Sequence, residues 1–391
     1  MKKIIGYFKK DVMLGVSILA SVISLFITPP SKALLYEIDW KTLATLFMLL
    51  LVLEGFKSEN LFLPAINIAR KMKTMIALSF FLIFGVFFSS MFVTNDVSLI
   101  IFVPLTIILF RGGDKERYIL PVLAMENIAA VRGSLLTPFG SPQNLFLFSQ
   151  SGIKANDFIL MMLPLFLGSM ILLSIFILFL YRKDKKEVIE ISDSVLLSWD
   201  KNRRGNRIMY LVLFIIVIST ILTRTTLWPY ITLLVAITVY IFDKEAYKRV
   251  DFALIITFLC FFIFASSIAS NEVISEYLKK EVSGHEYIWS IGISQIISNV
   301  PAAIVLWPFT TNLKALIYGL DTAGLLTIIG SLASVINLRL YIKEYPGCGG
   351  KFIKTFEKVN LVFFAIVASL QLFLIFWKNH QNFRLKTDRF L

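Results

Sequence analysis

VTNDVSLIIFVPL, at residues 93–105, is matched in the other half of the chain by ISNVPAAIVLWPF, at residues 297–309. In both stretches a hydroxyl residue and an asparagine follow an apolar run, and a proline stands nine residues past the asparagine. Polar interruptions at corresponding places in two apolar halves indicate a membrane protein built from repeats, with its site where the repeats meet.

A second pair of related stretches follows the first pair. GSLLTPFGSPQNLFLF begins at Gly133, and GSLASVINLRLY begins at Gly330. Deleting four residues from the first aligns Gly133-Ser134 with Gly330-Ser331. The repeat therefore extends beyond a single motif.

The composition fixes the broad class of the protein. Hydrophobic residues make up 57% of the 391 positions and charged residues 17%. Apolar runs near twenty residues recur along the whole length, which predicts an all-α polytopic membrane protein. Most Lys and Arg residues behind the net charge of +13 lie in short loops. That distribution orients membrane helices and provides no folded basic face for nucleic acid.

Long apolar runs predict the helices that cross the membrane. These lie at about 11–29, 42–56, 118–148, 157–181, 207–223, 227–242, 251–270, 315–341 and 359–377. The two Asn motifs fall in further apolar stretches, about 72–110 and 285–311, and each stretch fits a re-entrant hairpin that enters and leaves on one side. The loop at 271–286 is predicted as an outer connection.

Loop charges predict the orientation of the chain. The basic N-terminus and the basic linker at 182–206 fall inside the cell if the first hairpin is re-entrant. The N-terminal half, 1–181, then contains a hairpin open to the cytoplasm, and the C-terminal half, 207–391, contains one open to the exterior. The predicted fold is therefore two inverted repeats, each with a re-entrant hairpin and an unwound transmembrane helix.

The two motifs contain the first candidate binding residues, Thr94, Asn95, Ser298 and Asn299. Each motif would end one half-helix and start another, so its side chains can cap the free N–H groups of the second half-helix. The start of that half-helix also suits an anion, and the carbonyls released at the end of the preceding half-helix suit Na⁺. The alternative interpretation is that these residues only cap the helix. Because the motif recurs with the same spacing in both halves, this alternative is the weaker one.

The stretch 118–148 is too long for one ordinary span, and its interior GSLLTPFGSPQN is rich in Gly, Pro and hydroxyl residues. An unwound segment between two short helices is predicted there, with a loop at the membrane surface as the alternative. Its candidate ligands and their equivalents in the second half are Thr137, Ser141 and Asn144, and Ser331, Ser334 and Asn337.

Three ionisable residues stand out in apolar context. Asp96 follows Asn95 and is a candidate group for a coupling H⁺ or Na⁺, or else a carboxylate favoured by the helix dipole. Arg132 lies too deep to reach water easily, so it should attract an anion or pair with another helix. For Glu126 a structural ion pair with another helix is expected.

The sequence contains no recognisable catalytic motif. It has no Walker loop, no H-x-x-H or C-x-x-C spacing and no nucleophile constellation. An integral membrane enzyme would need a catalytic cluster near one interface. A structural or sensory protein would leave the matching polar motifs without a reason.

TNDVSLIIFVP, TPFGSPQNL and SQIISNVPAAIVLWPFT resemble the ion transporter superfamily of arsenite permeases, citrate transporters and divalent-anion/sodium symporters. The resemblance implies two inverted repeats, an elevator-like motion and commonly a homodimer. In the carboxylate symporters Ser-Asn-Thr motifs at the hairpin tips bind substrate and Na⁺. Here the third position is Asp96 or Val300 instead, and Thr-Asn-Asp is closer to the arsenite permeases.

A secondary active transporter of a small anion, a di- or tricarboxylate or an oxyanion, is therefore expected in the cytoplasmic membrane with its N-terminus inside. No cofactor is expected beyond Na⁺ or H⁺ as coupling ion, and the expected partners are the bilayer and a second copy of the chain. Arsenite or antimonite efflux and Na⁺/H⁺ antiport are the alternatives. The expected substrate-binding residues are Thr94, Asn95, Arg132, Thr137, Ser141, Asn144, Ser298, Asn299, Ser334 and Asn337, and the expected ion-coupling residues are Asn95, Asp96 and Asn299.

Overall fold

A computed structural model describes residues 12–29, 36, 38–59, 61, 68, 69, 71–184, 187–189 and 203–387. Apart from one bridge between Thr74 and Val188, these residues form helices and connecting segments only. Their α-helices are α1 Val12–Ile27, α2 Trp40–Ser58, α3 Met75–Val93, α4 Asn95–Gly112, α5 Ile119–Gly133, α6 Pro142–Ser151, α7 Ala155–Leu180, α8 Arg204–Thr223, α9 Trp228–Asp243, α10 Ala246–Arg249, α11 Phe252–Ala269, α12 Glu272–Val282, α13 Glu286–Ile297, α14 Asn299–Leu306, α15 Leu313–Ala323, α16 Leu332–Glu344 and α17 Gly349–Thr387. The all-helical class predicted from the apolar runs is confirmed.

Six of these segments are long and apolar enough to cross a membrane. They include both arms of the first hairpin, α3 with 19 residues and α4 with 18. The arms of the second hairpin, α13 and α14, have 12 and 8 residues. The chain is thus a multi-pass membrane protein. The re-entrant path of each hairpin and the side of the membrane that it faces stay predictions, because length alone allows α3 and α4 a full crossing.

Each hairpin turns at a single residue. Thr94 ends α3 and precedes α4, and Ser298 ends α13 and precedes α14. In each hairpin the two arms pack against each other. The predicted hairpin positions, 72–110 and 285–311, are therefore confirmed as helix pairs with the motif at the turn.

Two helices are interrupted, one in each half. After α5 a short 3₁₀ turn covers Ser134–Leu136, and extended backbone at Thr137 leads to Ser141, the residue before α6. In the second half, residues 324–331 separate α15 from α16. The unwound segment predicted within 118–148 is confirmed. The second interruption lies within the predicted crossing 315–341, as expected for an unwound helix in each half, and Gly324 and Gly330 bracket it without a proline to signal it.

The interruptions correct the alignment of the two halves. A Cβ at Gly140 would lie 2.1 Å from the carbonyl oxygen of Ser134, and one at Gly330 would lie 2.3 Å from that of Ala323. Both glycines therefore allow the unwound chain to pass close to the end of the preceding helix. The following residues, Ser141 and Ser331, precede α6 and α16 with the same φ of −147°. Structurally, Gly330-Ser331 thus corresponds to Gly140-Ser141 and not to Gly133-Ser134.

The packing of the helices repeats in the same order. In the first half α3 packs against α4 and α5, and in the second half α13 packs against α14 and α15. The second arm of each hairpin also crosses to the other half, since α4 packs against α16 and α14 against α6. The two motifs therefore meet at the contact between the halves, as the repeated pattern predicts.

Two helices differ from the predictions. The predicted crossing at 359–377 is the middle of α17, which starts at Gly349 and continues to Thr387. The stretch 271–286, predicted as a loop, contains α12, where the Asn271 side chain accepts a hydrogen bond of 3.1 Å from the Ile274 amide. Its apolar residues recur at helical spacing within a charged sequence, so a search for long apolar runs misses it.

The linker between the halves is anchored to the first half through Glu187. Lys115 Nζ lies 3.0 Å from Glu187 Oε1, and Arg117 Nη2 donates to both carboxylate oxygens at 2.8 and 2.9 Å. The Tyr118 hydroxyl is 2.6 Å from Glu187 Oε2. Residues 190–202 of this linker lie outside the described residues.

Replacing Glu187 with Gln should lower the unfolding temperature by a few degrees at pH 7. Burial of Glu187 acts to raise its pKa, but the hydrogen bonds from Tyr118, Lys115 and Arg117 outweigh burial and lower the pKa from 4.5 to about 2. Because the folded-state pKa lies below the ordinary value, ionised Glu187 stabilises the fold above about pH 4.5, and this contribution is lost as the pH falls towards 2.

Thermal unfolding of detergent-solubilised protein between pH 7 and pH 3 measures this effect. The difference between wild type and the Gln variant should shrink as the pH falls below about 4.5. Glu245→Gln is the matched control, since Glu245 pairs with Lys248 on the exposed surface, where such pairs contribute little. A constant difference between wild type and Glu187→Gln down to pH 3 would contradict the assigned role.

Candidate functional site

The two hairpin tips share an unusual backbone conformation. Thr94 has φ 70° and ψ 157°, and Ser298 has φ 69° and ψ 158°. This region of conformational space is adopted almost only by glycine, and other residues there store about 1–3 kcal/mol of strain. Agreement to within one degree at two sites makes the tips structural equivalents.

Neither tip hydroxyl caps the helix that follows it. The prediction that Thr94 and Ser298 act as side-chain caps is therefore wrong, because the extended backbone turns each hydroxyl away from the next amides. Only the Asn95 side chain acts in this way, as its Oδ1 accepts a hydrogen bond of 2.9 Å from the Asp96 amide. Capping does not explain why hydroxyl residues stand at both tips.

Each interrupted helix is fastened to the hairpin of its own half. Thr137 Oγ1 donates a hydrogen bond of 2.5 Å to the carbonyl of Met91, close to the first tip. In the second half the Asn299 amide donates to the Gly330 carbonyl at 3.1 Å, and its Nδ2 donates to the Leu320 carbonyl at 3.4 Å. Thr137 and Asn299 therefore hold the tips against the breaks in the helices.

One cavity of about 450 Å³ brings the two hairpins together. Asp96 lines it from the first hairpin, and Ser298, Val300 and Pro301 line it from the second. Ile296 of α13 also lines it from the second hairpin, and Asp251 and Ile329 line it from the segments just before α11 and α16. The remaining lining residues come from α1, α11 and α16, and they are Val16, Leu254, Thr257, Phe258, Leu332, Val335, Ile336 and Arg339.

The charges of this cavity are mixed. Asp96 and Asp251 provide two carboxylates, and Arg339 provides one guanidinium. Asp96 Oδ1 is buried without a hydrogen-bond partner in the described residues, whereas Asp251 accepts a hydrogen bond of 3.1 Å from the Leu254 amide at the start of α11. An anion in this cavity could meet Arg339, and a cation could meet Asp96.

Two predicted ligands lie on the other face of α16. The cavity takes Leu332, Val335, Ile336 and Arg339 from this helix. Ser334 instead accepts a hydrogen bond of 3.1 Å from Asn127, and Asn337 donates one of 2.8 Å to the carbonyl of Leu123. Asn127 and Leu123 belong to α5, so Ser334 and Asn337 connect the halves and do not line the cavity.

Ser141 and Asn144 also lie away from the cavity. Ser141 Oγ accepts a hydrogen bond of 3.4 Å from the Asn144 amide, which caps the start of α6. The Asn144 side chain donates to the Leu135 carbonyl at 3.5 Å. These residues shape the first interruption.

Arg132 is fully buried in a separate polar cluster. Its Nε donates a hydrogen bond of 2.8 Å to Ser169 Oγ, and Asp321 is close enough to attract it electrostatically. Asp321 is also buried, and its Oδ1 accepts a hydrogen bond of 3.2 Å from Gln143. Arg132 does not line the cavity between the hairpin tips.

Asp321 and Arg339 are missing from the sequence-based set of ionisable residues. Both lie inside the predicted crossing 315–341, so the criterion that selects Asp96, Arg132 and Glu126 also applies to them. Asp251 is the first residue of the predicted crossing 251–270, and at that position it resembles an ordinary helix cap. Its place in the cavity depends on tertiary packing.

Glu126 forms a hydrogen bond with Thr106 on α4. It is fully buried, and none of the described basic residues forms an ion pair with it. The ion pair expected for Glu126 is therefore wrong. A short polar contact between α4 and α5 takes its place, and it needs no second charge.

Comparison with known proteins identifies the family. Residues 8–318 match the model of the citrate transporter family. An uncharacterized transporter of Methanocaldococcus jannaschii is 31% identical over 304 residues, which cover 78% of this chain and 81% of that protein. The inner membrane protein YbiR of Escherichia coli (strain K12) is 28% identical over 340 residues, or 85% of this chain and 87% of that protein. The chain is therefore a membrane transporter, and not an enzyme, that belongs to the citrate transporter family within the ion transporter superfamily.

Proposed function

We propose that the protein is a secondary active transporter of a small anion, a di- or tricarboxylate or an oxyanion. It would move this anion across the cytoplasmic membrane, driven by a Na⁺ or H⁺ gradient. The observation that carries this proposal is the cavity shared by the tips of both hairpins. A ligand there touches Asp96 from one half and Ser298 from the other. Movement of one half against the other would then change the access to a single site.

The anion is bound from the second hairpin in this proposal. The α14 helix starts directly after Ser298, so the positive end of its dipole favours an anion. Arg339 adds a full positive charge from α16. Ser298 supplies a hydroxyl that does not cap its own helix.

The cation is bound at the first hairpin. Asp96 would repel an anion unless a cation neutralises it, and its buried Oδ1 is available to H⁺ or Na⁺. Asn95, next to Asp96, accepts a hydrogen bond from the Asp96 amide and so helps to fix the backbone that carries this carboxylate. Cation and anion would thus bind side by side, which couples their transport.

The family description favours a carboxylate over other oxyanions, since the matching family model is named for citrate transport. Inverted repeats, a homodimer and a cytoplasmic N-terminus complete the proposal. The repeated packing order of the helices supports the repeats, and the basic loops support the orientation. The homodimer is proposed from the resemblance to the superfamily.

A second candidate function is Na⁺/H⁺ antiport. The observation that favours it is the second carboxylate, Asp251, in the same cavity as Asp96. Two carboxylates and one guanidinium give the cavity a net negative formal charge, which suits cations.

Thermal unfolding with a ligand panel tests the proposal. Citrate, succinate, sulfate and arsenite are each added to detergent-purified protein in Na⁺ and in choline buffers at two pH values. A ligand at about 100 times its dissociation constant should stabilise a single-site protein by about 2.7 kcal/mol. We expect a stabilisation by one anion that depends on Na⁺ or on pH. Stabilisation by Na⁺ alone, with no response to any anion, would favour antiport.

Asn95→Ala and Asn299→Ala provide the matching functional readout. Both variants should insert into the membrane but lose transport and the ligand-dependent stabilisation. Asn360→Ala is the control, because Asn360 is a buried asparagine on α17, which belongs to neither hairpin, and its side chain bonds its own helix. Transport at the wild-type rate in both tip variants would contradict a site between the hairpins.

A further inference from the structure

A second cavity, of about 510 Å³, lies between α7 and α17. Its size is within the range of small-molecule sites in proteins. Pro164 and Gly168 stand four residues apart on α7, so this face of the helix has no long side chains for one turn. The other walls are aliphatic and are formed by Leu165, Ile171, Leu172, Ile175, Ile366, Val367 and Leu370. We call this cavity the α7/α17 groove.

The groove opens on the surface that faces lipid. Ile171, Ile175 and Leu370 line it and are 59%, 54% and 58% exposed. Such exposed aliphatic side chains on a membrane-spanning helix meet the acyl chains of the bilayer. An apolar ligand can therefore enter the groove from the membrane without passing through water.

A buried cation lies at the floor of the groove. Arg132 lines the groove although none of its surface is exposed, and its Nη1 and Nη2 have no hydrogen-bond partner among the described residues. Its Nε is held by Ser169, and the Ser169 hydroxyl donates to the Leu165 carbonyl at 2.6 Å. The guanidinium is thus fixed on one side, while the two nitrogens that form a bidentate fork are unpaired.

Nearby groups do not use this fork. Asp321 attracts Arg132 but forms no ion pair with it within the 4.0 Å that defines one in the described residues. The Tyr287 hydroxyl donates to Gln371, and the Tyr318 hydroxyl donates to the Met161 carbonyl. The fork therefore suits an external anionic group.

We propose that the α7/α17 groove binds a long-chain fatty-acid anion from the bilayer, with the carboxylate on the Nη1 and Nη2 atoms of Arg132 and the alkyl chain along the aliphatic walls. A carboxylate matches the planar fork of arginine, and an alkyl chain matches the apolar groove. A second copy of the chain fits less well. Two-fold symmetry would bring the same aliphatic residues to the groove, and they include no anion for Arg132.

Such a site has a route to the transport machinery. Arg132 lies in the last turn of α5, directly before the 3₁₀ turn and the first interruption. Thr137 in this interruption is fastened to the first hairpin through the Met91 carbonyl. A bound fatty acid would therefore restrain the segment that must move if the first hairpin moves, and it would regulate the rate of transport. The site itself does not depend on the identity of the transported anion.

Binding of oleate and of oleyl alcohol to the delipidated, detergent-purified protein tests the proposal by native mass spectrometry and by thermal unfolding. Wild type should bind one oleate saturably and should bind the neutral alcohol about 10- to 100-fold more weakly, the range for losing a hydrogen bond to a charged group. Arg132→Gln should remove this preference for the anion. Equal affinity of wild type for oleate and the alcohol would overturn the proposal.

Gly168→Leu keeps the test independent of the folding of an Arg132 variant. A Cβ at Gly168 would meet no atom within 4 Å, so a leucine side chain can start there and extend into the groove that Gly168 lines. This variant should lose oleate binding, while Leu160→Phe on the outer face of the same helix should keep it. Unchanged oleate binding in Gly168→Leu, or a shift from dimer to monomer with no oleate bound by wild type, would reject the site.

Discussion

Replacing Asp96 with asparagine is expected to abolish cation-coupled transport and to leave the fold intact. Asparagine has nearly the shape of aspartate, so it removes the charge and little else. Asp96 Oδ1 is buried in a cavity that both hairpins share, and no hydrogen bond to a described residue would be broken there. The loss of the charged partner of a bound cation should reduce gradient-driven uptake by about 10- to 100-fold or more.

Uptake into proteoliposomes under an imposed Na⁺ or pH gradient measures this loss, with the anion identified by thermal unfolding as substrate. The Asp96→Asn protein should still bind that anion, but its binding should no longer respond to Na⁺ or to pH. Anion binding that is retained while its dependence on Na⁺ or pH is lost would be specific to a coupling role. A merely structural role for Asp96 would reduce both together.

Asp251→Asn is the matched control in the same cavity. Asp251 caps α11 through the Leu254 amide, and asparagine caps helices about as well as aspartate. We expect this variant to keep its stability and most of its coupling. Normal transport in Asp96→Asn combined with loss in Asp251→Asn would transfer the coupling role to Asp251.

The sequence predicts those parts of this site that depend only on the residue types within a short segment. The Asn motifs at Thr94 and Ser298 interrupt apolar runs with polar residues, which are energetically unfavourable within a membrane helix. Both turns are therefore located correctly from the sequence. The interruption after Gly133 is predicted by prolines and glycines within a few residues. Local backbone requirements leave a direct trace in the amino-acid types.

The alignment of the two halves cannot be derived from short segments of sequence. Gly133-Ser134 and Gly140-Ser141 both match Gly330-Ser331 by sequence. The second pair is selected by the approach of Gly140 to the end of its own preceding helical segment and by the φ that Ser141 shares with Ser331. The choice depends on what each glycine packs against and on the backbone that follows it. A single sequence contains no such information.

Tertiary packing decides which polar residues of α16 line the cavity and which bond to another helix. Ser334, Asn337 and Arg339 all lie on α16 within six residues, and composition cannot tell which face meets the cavity. The structure turns Arg339 towards the cavity and Ser334 and Asn337 towards α5. Polar residues of a membrane helix are equally suited to bind a ligand and to connect helices, so their assignment needs the partner helix.

Replacing the tip residues with glycine should stabilise the protein and impair its transport. At Thr94 and Ser298 the backbone adopts dihedral angles that glycine accepts without strain, and the relief is worth about 1–3 kcal/mol at each site. The greater freedom of glycine in the unfolded chain offsets about 0.5–1 kcal/mol of this gain. The net expectation is an increase of about 1 kcal/mol in the free energy of unfolding for each variant.

The loss of function has a separate cause. Glycine removes a hydroxyl that does not cap its helix, so the stability of the hairpin does not depend on it. If the Ser298 hydroxyl contacts the bound anion, its removal should weaken binding by about 10- to 100-fold, as for other hydrogen bonds to a charged group. Unfolding temperature and ligand affinity of Thr94→Gly and Ser298→Gly measure the two effects.

Ser294→Gly separates strain from a general effect of glycine. Ser294 is one turn earlier on α13, and its hydroxyl donates to the Ser290 carbonyl. Glycine within a helix is unfavourable by about 1 kcal/mol relative to alanine, so this variant should be less stable than wild type. Opposite signs at Ser294 and Ser298 would indicate that the tip stores strain. If glycine is more stable at both tips, the strain at Thr94 and Ser298 does not serve the fold, and this result would support the proposed role of their hydroxyls in ligand binding.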